Sequence, residues 1–432
     1  MTIRALLALL VLASALPLRA ETVEWRDARW FTGSGFVGGD RYSEDGVFLA
    51  ARPAKVDRVV DLGGRHAVPP FGDAHHHGID SNDGLEDKII VFLEAGIFYV
   101  KNPNVIPELL TPDVRARLNR RHTLDIVFSN GGLTSPGGHP VPLHEYLASL
   151  GVFQNLTPQQ MEGRAWFTIA DDADLDAKWP RILAGKPDFI KTFLLFSEEF
   201  EGRKPLLRED GRPNRGLDPR VLRSVVSRAH AAGLRVTTHI DTGRDFENAV
   251  DAGVDEVNHL PQPDQRFSPD LSAYVITPQA ARRAAARGVT VVTTASTTER
   301  LSPNLNREWI PGMRANQAAN LRTLLEAGVK IAIGSDGISG ERRFVTARDE
   351  VRFLVANRML TPLELLRAWS VDTAKTIFPA RRVGELAPGF EASFLVLEGD
   401  PLRDPANLER IQVRVKQGLV LPEMPRFYLR RD

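Results

Sequence analysis

Five times along the chain a helical stretch runs into a glycine and then into the start of a strand. The junctions are Ala95-Gly96-Ile97, Ala232-Gly233-Leu234, Ala252-Gly253-Val254, Arg287-Gly288-Val289 and Ala327-Gly328-Val329. Glycine just past a helix end supplies the left-handed conformation that closes the helix, so each site predicts a helix-to-strand turn. Helix starts agree: Asp218-Pro219 and Thr277-Pro278 each place a capping side chain before a proline suited to the first helical position. Between Pro219 and Gly233, Leu222, Val225, Val226 and Ala229 form an apolar stripe of helical period. Strands are expected at Ile97–Val100, Leu124–Phe128, Phe189–Leu195, Arg235–His239, Val254–His259, Val289–Thr294 and Lys330–Ile333, with another ending near His77. Helix and strand alternating in this way imply a parallel α/β sheet, and eight such strands predict a (β/α)8 TIM barrel. An open doubly wound sheet is the alternative. It is disfavoured because no glycine-rich phosphate loop follows the first strand.

The flanks read differently. Residues 21–67 and 383–432 hold short strand-like pieces broken by turns such as Gly33-Ser34-Gly35 and Gly399-Asp400-Pro401. They are expected to form a small β-sandwich from both chain ends, beside a barrel of residues 68–382. Ahead of them, Arg4 precedes an almost wholly apolar run from Ala5 to Leu18, and Ala20 offers a small residue before Glu21. That layout predicts a secretory signal peptide over residues 1–20, hence a periplasmic or secreted protein. The run is short for a membrane anchor.

Acidic and basic residues balance at 55 each, which argues against nucleic acid as a partner. A small-molecule substrate is expected, and homo-oligomerisation stays open. Cysteine is absent, so disulfides are excluded and any metal must be held by nitrogen and oxygen.

Candidate chemistry gathers where strands end. In Asp73-Ala74-His75-His76-His77 the alternation of a strand puts His75 and His77 on one face, half of a metal site. Asp73 shares that face and is placed to accept an N–H from one of those imidazoles. His239 and His259 each fall six residues after a junction glycine, and Asp336 eight after Gly328, all at the carboxyl ends where barrel active sites form. Lys191 stands mid-strand among apolar neighbours. It reads either as an edge lysine whose head reaches water or as a buried amine able to become a carbamate.

These residues together resemble the amidohydrolase superfamily, in its imidazolonepropionase/prolidase-like branch with a binuclear metal centre. Asp73-Ala74-His75-His76-His77 is similar to the family's Asp-x-His-x-His. Phe189-Ile190-Lys191 is similar to its carboxylated lysine, Thr238-His239 and Asn258-His259 to its later histidines, and Gly334-Ser335-Asp336 to its final aspartate. The resemblance implies that His75, His77 and Asp336 hold one of two divalent metal ions, with zinc expected. It implies that His239 and His259 hold the other and that carboxylated Lys191 bridges them. Asp336 would shuttle a proton during hydrolysis of an amide, peptide or cyclic amide. A lactone or ester hydrolase with the same site and a mononuclear deaminase are the alternatives. Pro70, Lys101-Asn102 and Ser393 depart from the family's usual glycine, Arg-Asp and aspartate. Lys101 is expected near the rim as a substrate contact. Gly137-Gly138-His139 resembles a substrate loop of peptidase-like relatives, with His139 as the contact, or is simply a flexible turn. Arg300, Arg342 and Arg343 are further partners for a substrate carboxylate.

Overall fold

The computed structural model describes residues 21–151, 156–202, 204–301, 306–338 and 344–423. Residues 1–20, Arg342 and Arg343 lie outside them.

Buried, β-branched and aromatic runs form the strands of the larger unit. Phe71–Asp73, Ile97–Asn102 and Asp125–Phe128 make a three-stranded parallel sheet. A seven-stranded parallel sheet runs in the order Trp166–Thr168, Gly132–Thr134, Phe189–Phe193, Arg235–His239, Glu256–Asn258, Thr290–Thr293, Lys330–Ile333. Every residue of Phe189–Phe193 and of Ile97–Asn102 is buried, as expected for strands covered on both faces. Single backbone bonds join the two sheets. The Asp188 N–H donates to the Phe128 carbonyl at 2.8 Å, and the Ala74 N–H to the Ile333 carbonyl at 2.9 Å. The last strand of the series therefore lies against the first.

Helices pack outside these strands. Leu222, Val225, Val226 and Ala229 are the buried stripe of Pro219–Ala231, whose first turn is capped by Asp218. All five junction glycines adopt positive φ, from +70° at Gly288 to +89° at Gly253. A side chain there would strain the backbone whatever the space around it.

The chain ends do meet, but in one sheet rather than two facing ones. Its order is Leu419–Val420, Ile411–Lys416, Phe394–Leu397, Arg58–Val68, Thr22–Phe31, Phe36–Glu44, Val47–Phe48. A bulge between Trp25 and Ala28, with Asp27 at φ +52°, bends the long central strand. The sheet curls until its ends touch, with Phe48 N–H on the Phe390 carbonyl and Ala392 N–H on the Gly46 carbonyl. Trp25, Trp30, Phe48 and Phe394 fill the roll, with Trp25 edge-on to Phe394 at 4.9 Å. Lys416 and Arg381 fasten this unit to the amino end of a parallel strand, both pairing with Asp125.

Trp369 locks the first parallel strand. Its ring stacks on Phe71 at 3.7 Å, its Nε1–H donates to the Gly72 carbonyl at 3.0 Å, and a Cβ at Gly72 would come within 2.5 Å of Thr373. Trp369→Ala should destabilise the fold by about 3–5 kcal/mol, read from the denaturant midpoint at constant slope. A loss below about 1 kcal/mol would show that the stack is not what holds this strand.

Candidate metal centre

The carboxyl ends of the first and last parallel strands bring three donors to one point. His75 Nε2 and His77 Nε2 are 3.2 Å apart, and Asp336 Oδ1 is 3.3 Å from the first and 3.2 Å from the second. Ligands about 2.0–2.1 Å from a tetrahedral zinc are separated by about 3.3 Å, so the triangle has the dimensions of three corners of such a site. Among the described residues, these three form the one group of histidine and carboxylate donors spaced closely enough to hold a cation. His77 turns its other nitrogen to the Pro103 carbonyl at 3.1 Å, and His75 Nδ1 is buried with no partner among the described residues. Both rings thus present Nε2 to the centre.

Asp73 does not accept from a liganding imidazole. Its buried carboxylate takes the Ser335 N–H at 2.9 Å, the Ser335 hydroxyl at 2.7 Å, the Ala347 N–H at 2.9 Å and the backbone N–H of His75 at 3.3 Å. The strand breaks after Asp73, turning this side chain toward the loop that carries Asp336. Burial raises its carboxyl to about 7 against those bonds. His76 points away from the centre, as alternation requires, with Nδ1 3.2 Å from the Ser335 hydroxyl.

The later histidines extend the cluster. The His259 ring is 4.8 Å from His75 and 4.4 Å from His239. His259 Nδ1 is 2.6 Å from the Thr294 hydroxyl, and His239 Nε2 is 3.0 Å from Asp241 Oδ1. His259 therefore has Nε2 free for a cation, and His239 has Nδ1. Burial drives His75 and His239 down to about 3 and His259 well below its usual range. They are neutral, the form that binds metal. Burial would raise Asp336, but the His75 and His77 imidazoles beside it hold its carboxyl well below the ordinary range. Lys191 is fully buried, its amine is lowered to about 7 by desolvation, and Nζ donates to Asn258 Oδ1 at 2.7 Å. Nitrogen and oxygen donors, neutral rings and an ionised carboxylate all suit a divalent cation.

The cluster opens into a cavity of about 660 Å³ that includes all six residues expected to hold metal. His139 also lines it, stacked on His239 at 5.1 Å. Its loop is packed rather than a loose turn, because a Cβ at Gly138 would meet Thr134 at 2.7 Å and the Arg215 carbonyl at 2.8 Å. Lys101 is not at the rim. It is buried among the parallel strands, pairs with Glu256 at 2.8 Å and lies 4.5 Å over the Phe189 ring, while its neighbour Asn102 lines the cavity. Arg300 is engaged with the Ser335 and Asp336 carbonyls at 3.2 and 2.8 Å, outside the cavity wall. Arg208, Asn214 and Asp241 line the cavity and were not legible beforehand. Arg208 donates from Nη1 to Asn214 Oδ1 at 3.4 Å and has a long 4.0 Å ion pair with Asp210, and its Nε is buried without a hydrogen bond. Arg266, by contrast, is held through several bonds by Asp264.

Residues 211–420 match the family model described as the amidohydrolase family. A stretch of 203 residues, 46% of this chain, is 25% identical to ochratoxinase of Aspergillus niger and spans 40% of that protein. The crystal structure of A. niger ochratoxinase superposes with a TM-score of 0.70 at 18% identity, covering 93% of this chain and 96% of that one. A Xaa-Pro dipeptidase with bound methionine in its active site gives 0.69 at 18% identity, covering 93% and 100%. Over residues 211–420 this chain is similar to the amidohydrolase family.

Lys101→Met strands the Glu256 charge and should cost about 3–5 kcal/mol of stability, much of it recovered when Glu256→Leu is added. Denaturation of both variants measures this. A stable Lys101→Met protein with only a raised KM would return Lys101 to the substrate's side.

Proposed function

We propose that the protein is an exported amidohydrolase that uses two divalent cations, zinc by preference, to break the C–N bond of an amide, peptide or cyclic amide. The observation that carries the reading is the triangle of His75 Nε2, His77 Nε2 and Asp336 Oδ1 with sides of 3.2–3.3 Å. We read the parallel strands as a closed (β/α)8 barrel with this cluster at its mouth. The leader-like residues 1–20 support export. Among the described residues, no helix is long and apolar enough to cross a membrane.

In this reading His75, His77 and Asp336 would hold one cation and His239 and His259 the second, with Lys191, as a carbamate, a further anionic donor between them. The neutral Lys191 amine adds to carbon dioxide, so that an N–C bond forms, one C=O electron pair moves to oxygen and a nitrogen proton leaves to water. Divalent cations would supply Lewis acidity, lowering the pKa of bound water to about 7 and polarising a carbonyl. Asp336, ionised at neutral pH, takes the proton of the attacking water as its oxygen bonds to the carbonyl carbon. It returns that proton to nitrogen as the C–N bond breaks. His139, stacked on His239, faces the same space and is placed to contact substrate.

A panel of dipeptides, N-acyl amino acids, cyclic amides and lactones, offered to the zinc-loaded protein, identifies the substrate. Chelation should abolish turnover and zinc restore it; turnover indifferent to chelation would refute the metal. Asp336→Asn should fold and keep most metal while turnover falls about 10²–10⁴-fold. An unchanged rate would remove the proton shuttle. Lys191→Ala should hold fewer than two ions per chain by elemental analysis and recover partly with added short carboxylic acids. A full metal complement in that variant would exclude the carbamate.

A further inference from the structure

Beneath the cavity floor a chain of hydrogen bonds connects two buried lysines. Lys101 Nζ donates to Glu256 Oε1 at 2.8 Å. The same oxygen accepts the Thr237 hydroxyl at 2.8 Å and the Asn258 amide Nδ2 at 3.1 Å, while Oε2 accepts Thr376 at 2.7 Å. Asn258 then offers its remaining atom, Oδ1, to Lys191 Nζ at 2.7 Å. Asn258 and Glu256 are each 1% exposed, so no water competes for these contacts.

The chain has a direction. An ammonium group only donates and an ionised carboxylate only accepts, whereas an amide does one at each end. Because Glu256 takes the amide's N–H, the amide's oxygen must face Lys191. The reverse orientation would set oxygen against a carboxylate and N–H against an amine, leaving two buried groups unsatisfied.

We propose that Asn258, oriented by Glu256 and Lys101, is the positioning residue for carboxylated Lys191, and that its Oδ1 accepts the carbamate N–H. This rests on the carbamate reading of Lys191 given above. Addition of carbon dioxide leaves one hydrogen on the nitrogen, so the acceptor that serves the amine serves the product equally. A carbamate is planar, with its N–H in the plane of both oxygens. Fixing the direction of that one bond therefore fixes where both oxygens point, and it stops rotation about the last bond of a flexible side chain. Asn258 immediately precedes His259, so the residue that aims the bridge and one that binds a cation ride on the same strand end.

The test compares wild type, Asn258→Leu and Lys191→Ala, each full-length, zinc-loaded and equilibrated with [13C]bicarbonate. Wild type should show a carbamate carbon signal that Lys191→Ala lacks. Removing the acceptor strands one buried N–H, so Asn258→Leu should need about 5- to 150-fold more bicarbonate for half-maximal signal. Its zinc content should rise from below two per chain toward two over the same range, a response that loss of stability alone would not produce. An Asn258→Leu signal with the wild-type midpoint overturns the role of Asn258 and leaves the carbamate standing. Absence of the signal from wild type removes the carbamate, and the proposal with it. Should Asn258→Leu not fold, wild type labelled with [15N]lysine decides. The carbamate N–H should exchange slowly with solvent, and exchange at the rate of a free N–H overturns the proposal.

Discussion

The carboxylate of Asp73 holds the candidate centre together. It ends the first parallel strand and gathers four donors, two from Ser335, one from Ala347 and one from its own neighbour His75. In return the His75 carbonyl accepts the Asp336 N–H at 2.7 Å. His75 and Asp336, far apart in the chain, are thus tied by backbone as well as by side chain. Asp336 accepts a left-handed φ of +47° at this point, a conformation tolerated only where surrounding contacts over-determine it. Gly334 makes the approach close enough, since a Cβ there would lie 2.9 Å from that of His75. Any loosening of the Asp73 cluster would spread the donor triangle before it touched the donors themselves.

Much of this was legible beforehand. The junction glycines announced the alternation of helix and strand because φ near +80° is a property of the residue and not of its surroundings. His239 and His259 could be placed because six residues after a junction glycine lands on a strand end, Asp336 because it falls eight after Gly328, and His75 and His77 by strand alternation. What failed was what depends on three-dimensional neighbours. Lys101 looked like a rim cation because its partner Glu256 lies 155 residues away on another strand. Asp73 looked like a partner for an imidazole because alternation says which face a side chain leaves from, not where a broken strand then turns it. The flanking strands were expected to pair as a sandwich, and only the bulge after Trp25 reveals that one sheet rolls up instead. Arg208 and Asn214 lie in an irregular loop with no periodicity to read.

The interior between the parallel strands is more polar than its apolar sequence suggests. Lys101, Glu256, Thr237, Thr376, Asn258 and Lys191 are all buried, and each finds a partner within the set. Burial would raise the Glu256 carboxyl, yet the Lys101 charge and donors bring it down to about 2. Removing Lys101 or Glu256 strands the other's buried charge, while the intact set is hydrogen-bonded throughout. The same enclosure that makes the network costly to disturb keeps Lys191 away from bulk water.

The rolled sheet carries a consequence for how the polypeptide matures. Strand Arg58–Val68 lies between Thr22–Phe31 and Phe394–Leu397, so one of its edges waits for residues made more than three hundred positions later. Until those residues leave the ribosome, that edge exposes unpaired backbone groups and half of an aromatic core. A nascent chain would therefore need shielding along Arg58–Val68 throughout synthesis of everything that follows.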